Sequence, residues 1–170
     1  MNLQDRISFL EKNLERQIDW IRAADTKIVP LMFITTSLLG TTVAFISQTP
    51  EVSGAILFFA LICIGTLLST LYCIVMVSFP RTKNNDKSLI LFEGIKHSGY
   101  KNFEKKVAEL SHETYLKELS KMCYSSSLIA SRKFHYVKRG MIFLFSSIIP
   151  WILLVYTISN VINMVDLLKR

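Results

Sequence analysis

Residues 22–34 read RAADTKIVPLMFI, and this stretch decides how the rest of the chain can fold. Arg22, Asp25 and Lys27 place three charges within six residues, and no further charged residue follows until Glu51. The uncharged run after Lys27 is long enough to cross a lipid bilayer, which takes ~20 apolar residues. The stretch therefore indicates the point at which a charged helix enters a membrane.

Two further segments have the same apolar character. Residues 28–50, 52–80 and 140–165 contain no Asp, Glu, Lys or Arg, in a chain of 170 residues that is 51% hydrophobic. Backbone groups inside lipid must satisfy their hydrogen bonds internally, so each segment is expected to be helical. The first segment is not expected to be a cleaved signal, because a charged helix precedes it and a second span follows at once. The sequence predicts an all-α membrane protein with three transmembrane helices.

The distribution of basic residues predicts the orientation of these spans. Residues 1–27 carry five Lys/Arg and five Asp/Glu, whereas residues 81–139 carry thirteen Lys/Arg and six Asp/Glu. Both regions flank the first two spans on one side, and basic loops remain in the cytoplasm. We therefore expect a cytoplasmic N-terminus and a C-terminus on the opposite side. The net charge of +7 suits either anionic lipid headgroups or an anionic ligand, and the charge alone leaves both open.

The N-terminal region, residues 1–27, is predicted to form an amphipathic helix. Its apolar residues recur at spacings of three and four, as in a heptad stripe. The stripe consists of Leu3, Ile7, Leu10, Leu14, Gln17, Ile21 and Ala24, and Gln17 is its one polar interruption. Because no Gly or Pro occurs before Pro30, the helix is expected to continue into the first span and to bend at this proline.

A second long helix is predicted from about Asn102 onward. Its first apolar stripe consists of Phe103, Val107 and Leu110. A second stripe with heptad spacing begins at Tyr115 and reaches the third span. No Gly or Pro interrupts residues 101–139, so one continuous helix into the span is expected. Together with residues 1–27, the 81–139 region is predicted to form a cytoplasmic helical bundle.

A short apolar segment, Ser88–Ile95, precedes that helix and contains Phe92. Lys96 and Tyr100 follow it, so basic and aromatic side chains occur side by side. This mixture suits stacking on a base and neutralising a phosphate. The same residues would also suit an ordinary loop at the membrane interface.

Lys133 lies on a stripe that is otherwise apolar or small. It is expected either to extend toward the headgroups or to pair with a carboxylate such as Asp25. The alternative interpretation is an inward-facing cation that binds an anion. For Asp25, the candidate partners are Arg22, Lys27 and Lys133.

The sequence lacks the motifs of the common enzyme classes, namely GxSxG, HExxH, Walker A and GxGxxG. The three Cys and three His lack the spacing of metal ligands, so we predict no catalytic residue, no metal site and no cofactor. A basic region tethered to a membrane without a reader motif argues against nucleic-acid binding. Three uncharged spans enclose little space, so a pore would require several subunits and a homo-oligomer is expected.

Four short motifs occur in a recognisable order. WIRAADTK ends the first helix, LILFEGI follows the first two spans, YLKEL comes next, and SSLIASRKFHYVKRG enters the last span. In this order the chain resembles the transmembrane effectors of Pycsar, a bacterial anti-phage system.

The resemblance implies a function in the bacterial inner membrane. A partner pyrimidine cyclase would make cyclic CMP or cyclic UMP during infection. The effector would respond to this nucleotide and impair the membrane, so that the infected cell dies by abortive infection. The residues expected to contact the cyclic nucleotide are Trp20, Arg22, Asp25, Lys27, Phe92, Lys96, Tyr100 and Lys133.

The sequence leaves one function of another class open. The chain would then be a constitutive membrane anchor or scaffold, whose heptad stripes bind a partner helix without any nucleotide ligand.

Overall fold

The computed structural model describes residues 2–49, 52–79 and 92–168. Of these residues 94% are helical, and none lies in a strand. The five helices are α1 (Leu3–Gln48), α2 (Gly54–Ser78), α3 (Phe92–Ser98), α4 (Tyr100–Ala108) and α5 (His112–Leu168). Residues 88–91 of the predicted apolar segment lie outside the described ranges, and its remaining residues begin α3.

Three of the helices, α1, α2 and α5, are long and apolar enough to cross a membrane. Their apolar parts coincide with the three uncharged segments of the sequence. The prediction of an all-α membrane protein with three spanning helices is confirmed to this extent.

α1 continues through Pro30 without a break, as expected for a charged helix that runs into a span. The prediction of one helix over residues 101–139 is wrong, because α4 ends at Ala108 and α5 begins at His112. The hydroxyl of Ser111 accepts a hydrogen bond from the backbone N–H of Thr114 at 3.2 Å, which caps the new helix. The two apolar stripes of the sequence therefore belong to two different helices.

The chain divides into two compact units. Unit 1 consists of Met1–Ala23 and Pro80–Arg132, and unit 2 consists of Ala24–Phe79 and Lys133–Arg170. Both α1 and α5 contribute residues to each unit.

In unit 1, the first part of α1 packs against the first part of α5. The Tyr115 hydroxyl donates a hydrogen bond to Glu11 Oε1 at 2.9 Å, and the Cys123 thiol donates to the Leu10 carbonyl at 3.3 Å. The bond to Glu11, with a smaller effect of burial, raises the pKa of Tyr115. Tyr115 therefore keeps its proton, and this hydrogen bond, at neutral pH.

In unit 2, α1, α2 and α5 share a hydrophobic core. Its largest cluster includes Ala24, Ile28, Leu31, Cys63, Leu67, Ile74, Val77, Val137 and Leu144. Four hydroxyl groups buried among these helices donate to carbonyls of their own helix at 2.6–3.0 Å; they belong to Thr35, Thr42, Thr70 and Ser147. Because each is hydrogen-bonded locally, these polar side chains can be buried at little cost.

Gly140 of α5 lies at a close contact with both α1 and α2. A Cβ at this position would lie 3.1 Å from Leu31 Cδ2 of α1 and 3.3 Å from Cys73 Cβ of α2. At Gly65 of α2, by contrast, an added Cβ would meet nothing within 4 Å. The absence of a side chain at Gly140 therefore permits this helix contact.

We predict that Gly140→Leu destabilises the protein by about 1–3 kcal/mol, since it overpacks a closely fitted contact. The measurement is the midpoint of thermal unfolding of the purified protein in detergent. Gly65→Leu is the matched control and should leave the midpoint nearly unchanged. Equal midpoints for the two variants would show that the close contact at Gly140 contributes nothing to stability.

Candidate functional site

Asp25, one of the charged residues that directly precede the first uncharged segment, forms an ion pair within unit 2. Lys133 Nζ of α5 donates a hydrogen bond to Asp25 Oδ1 of α1 at 2.5 Å. Among the three candidate cations, Lys133 is thus the observed partner of Asp25. The Lys133 side chain is 19% exposed and the Asp25 side chain is 48% exposed. The pair is therefore partly sheltered on its cationic side and open on its anionic side.

Buried neighbours hold the two helices together at this point. Ala24 precedes Asp25 and is fully buried, and Ile28 lies one turn further along α1 and is also buried. Val137 lies one turn beyond Lys133 on α5 and belongs to the same core cluster. The backbones that carry Asp25 and Lys133 are thus fixed by apolar packing. The ion pair therefore forms only when α1 and α5 pack in this arrangement.

A second cation lies beside this pair. The Lys27 ammonium of α1 lies 5.4 Å from the centroid of the Phe134 ring of α5. Such a cation–π contact contributes ~0.5–1 kcal/mol at an exposed site. Phe134 itself packs against the core cluster of unit 2. We call Asp25, Lys27, Lys133 and Phe134 the threshold cluster.

The threshold cluster carries two cations and one carboxylate. On the α5 side of the cluster the sequence adds no compensating negative charge, because residues 119–165 contain no Asp or Glu. A singly charged anion would neutralise the cluster, and a phosphodiester carries one negative charge near neutral pH. The half-exposed position of Asp25 leaves the pair accessible from solvent. The arrangement can therefore exchange one anionic partner of Lys133 for another.

Four of the remaining predicted site residues belong to unit 1, and they differ in their surroundings. Arg22 pairs with Asp19 at 3.5 Å, and both side chains are exposed. Trp20 and Tyr100 are 48% and 78% exposed, and Lys96 is exposed as well. In the described part of unit 1, no hydrogen bond or ring contact joins Trp20, Lys96 and Tyr100 to one another.

Phe92, the last of the predicted site residues, begins α3, and its side chain lies outside the described set. Helix α3 is joined to α4 by Gly99, whose φ of 69° suits the left-handed conformation that glycine adopts easily.

Sequence reasoning missed Phe134 as a member of the cluster. Its position directly after Lys133 was visible, but its contact with Lys27 joins residues from two distant parts of the chain. Within the described residues, no three His, Cys, Asp or Glu side chains come together as possible metal ligands.

A family-level match covers most of the chain. The family profile described as the Pycsar effector protein domain matches residues 9–159 of 170. No curated protein and no solved structure matches the chain significantly. The resemblance drawn from the four sequence motifs is therefore confirmed. The chain belongs to the Pycsar effector family and is accordingly an anti-phage defence effector rather than the cyclase of that system, with three helices long and apolar enough to cross a membrane.

Proposed function

We propose that this effector senses cyclic CMP or cyclic UMP made by a partner pyrimidine cyclase and then impairs the integrity of the inner membrane, causing abortive infection. The observation that carries the proposal is the threshold cluster, in which Lys133 pairs with the accessible carboxylate of Asp25 and a second lysine, Lys27, lies against the neighbouring Phe134 ring. Membership of the Pycsar effector family supplies the class of ligand.

The nucleotide phosphate acts by competing with Asp25 for Lys133. Both groups are anionic oxygen acceptors, so a lysine that leaves the carboxylate loses no hydrogen bond when it meets the phosphate. Asp25 is half exposed, and once released it can be solvated by water. The exchange therefore breaks the polar link between α1 and α5 at a small net cost.

The ligand shifts the packing of α1 against α5 because it binds one arrangement better than the other. In the resting arrangement Lys133 is occupied by Asp25. In the bound arrangement Lys133 and Lys27 both face the phosphate. The exposed residues Trp20, Arg22, Lys96 and Tyr100, together with Phe92, remain proposed contacts for the rest of the ligand.

The proposed orientation puts the cluster where the nucleotide is made. The N-terminus and the basic 81–139 region lie in the cytoplasm, and the C-terminus lies in the periplasm. The excess of basic residues supports this topology. The hydrogen bonds of Tyr115 to Glu11 and of Cys123 to Leu10 support a helical bundle on the cytoplasmic side.

Membrane damage requires several copies of the chain, since one copy has three spans around a packed core. We propose that copies associate through a face of α1 that contains Ser37, Gly40 and Thr41, all of which are exposed. A Cβ added at Gly40 would meet nothing within 4 Å, so this face is open in a single copy. Small residues of this kind let transmembrane helices approach closely.

Substitutions at the two partners of the ion pair should change nucleotide affinity in opposite directions. Lys133→Gln should weaken binding about tenfold or more, because a charge-assisted hydrogen bond contributes ~1.5–3 kcal/mol. Asp25→Asn should strengthen it, because the competing carboxylate is gone. The measurement is calorimetry of the purified full chain with cyclic CMP, cyclic UMP and cyclic AMP.

Lys117→Gln is the matched control, since Lys117 is an exposed lysine of the same helix outside the cluster. Its affinity should equal that of the unaltered chain. If both cluster variants bind with unchanged affinity, Asp25 and Lys133 are not part of the ligand site. If the unaltered chain binds none of the three nucleotides, the alternative of a constitutive anchor for a partner helix is favoured instead.

A further prediction separates sensing from membrane damage. Gly40→Leu should bind nucleotide normally but release much less dye from protein-containing vesicles, because a bulky side chain blocks close helix association. Ala44→Leu alters an exposed residue one turn further along α1 and tests whether the proposed subunit contact extends to that position. Full leakage by Gly40→Leu would place the subunit contact elsewhere.

A further inference from the structure

An open groove of about 640 Å³ lies between α2 and α5 within unit 2. Among the residues that line it are Leu68, Tyr72, Tyr136, Arg139, Ile142 and Phe143. The volume falls in the range of ~300–1,000 Å³ that is common for sites of small molecules. None of these residues belongs to the threshold cluster.

The groove is polar at one end and apolar at the other. Helices α2 and α5 run in opposite directions, because Cys73 lies near Gly140 while Ile56 packs with Ile158. In this register Tyr136 and Arg139 lie toward one end of the groove, Leu68 and Phe143 lie toward the other, and Tyr72 lies between them. A ligand that fits must carry a polar, anionic group joined to an apolar body.

Arg139 directly precedes the uncharged 140–165 segment of α5, so the polar end of the groove is expected at the depth of the lipid headgroups. Arg139 and Ile158 are separated by 19 residues of α5, which corresponds to roughly 29 Å at the ~1.5 Å rise per residue of a helix. This span matches the ~30 Å thickness of the hydrocarbon core. Tyrosines are enriched at this interface, where their hydroxyl groups reach water and their rings stay in lipid. The pair of tyrosines beside Arg139 fits that position.

Among the residues that the structure describes, no carboxylate forms an ion pair with Arg139, and no acidic residue lines the groove. On α5 itself, residues 119–165 contain no Asp or Glu. A guanidinium group offers paired N–H donors that match the geometry of a phosphate. The exposed guanidinium is therefore complementary to the phosphate of a lipid.

We infer that this groove binds one anionic phospholipid. The lipid phosphate lies against Arg139, and one acyl chain follows Leu68, Ile142 and Phe143 toward the membrane interior. The lipid joins α2 to α5 on the surface that the three-helix core leaves uncovered. This site is separate from the nucleotide site, and its occupation does not require nucleotide.

The test is a titration of the purified full chain in detergent with phosphatidylglycerol, followed by native mass spectrometry. One tightly bound lipid per chain is expected, with phosphatidylcholine bound more weakly. Arg139→Gln should weaken phosphatidylglycerol binding about tenfold, because it removes both the charge and the paired donors. Leu68→Trp should also weaken it, because the larger ring fills the apolar end while Arg139 is retained.

Lys138→Gln is the matched control, since it removes the same charge from the adjacent exposed residue, which does not line the groove. It should weaken binding less than about threefold. Equal losses for Lys138→Gln and Arg139→Gln would overturn the site in favour of diffuse attraction to the basic segment. Displacement of the lipid by inorganic phosphate alone would also overturn it, because the acyl chain would then contribute nothing.

Discussion

Inside a bilayer no water is available to hydrogen-bond to the backbone, and this constraint governs the architecture of the chain. The three apolar segments have to be helical, and the buried hydroxyl groups of unit 2 donate to carbonyls of their own helices. What remains variable is how the helices pack. That packing depends on small residues such as Gly140 and on the few polar groups that join one helix to another.

The Asp25–Lys133 pair is a polar link of this kind. Its small contribution to stability suits an exchangeable contact better than one that holds the helices together. A partly exposed ion pair is weak, because water and salt screen it and its side chains lose freedom. The apolar packing of Ala24, Ile28 and Val137 holds α1 and α5 together in either case. The proposed replacement of the carboxylate by a nucleotide phosphate would therefore alter the contact without unfolding the protein.

Much of the fold follows from the sequence, because absence of charge over long segments has one physical solution in lipid. The continuity of α1 through Pro30 was also predictable, since no other residue before it disrupts a helix. The break before His112 was missed because Ser111 caps a helix there, and the absence of Gly and Pro had suggested continuity.

The candidate site was less predictable. Three cations were possible partners of Asp25, and only the packing of α1 on α5 selects Lys133, which is 108 positions away. Phe134 was missed for the same reason, since a cation–π contact between two helices produces no recognisable pattern in the local sequence. The proposed role of Arg139 was likewise not predictable, because the groove that it lines is formed by α5 together with α2.

The proposed function requires the basic helical region and the threshold cluster to face the cytoplasm, where a cyclase would release its product. The most direct measurement uses Lys101→Cys and Lys121→Cys in a chain whose Cys123 is replaced by Ser. A membrane-impermeant maleimide should label both cysteines in inverted vesicles and neither in intact spheroplasts. Ser53→Cys, in the opposite turn, should show the reverse pattern. Labelling of positions 101 and 121 in intact spheroplasts would contradict the account.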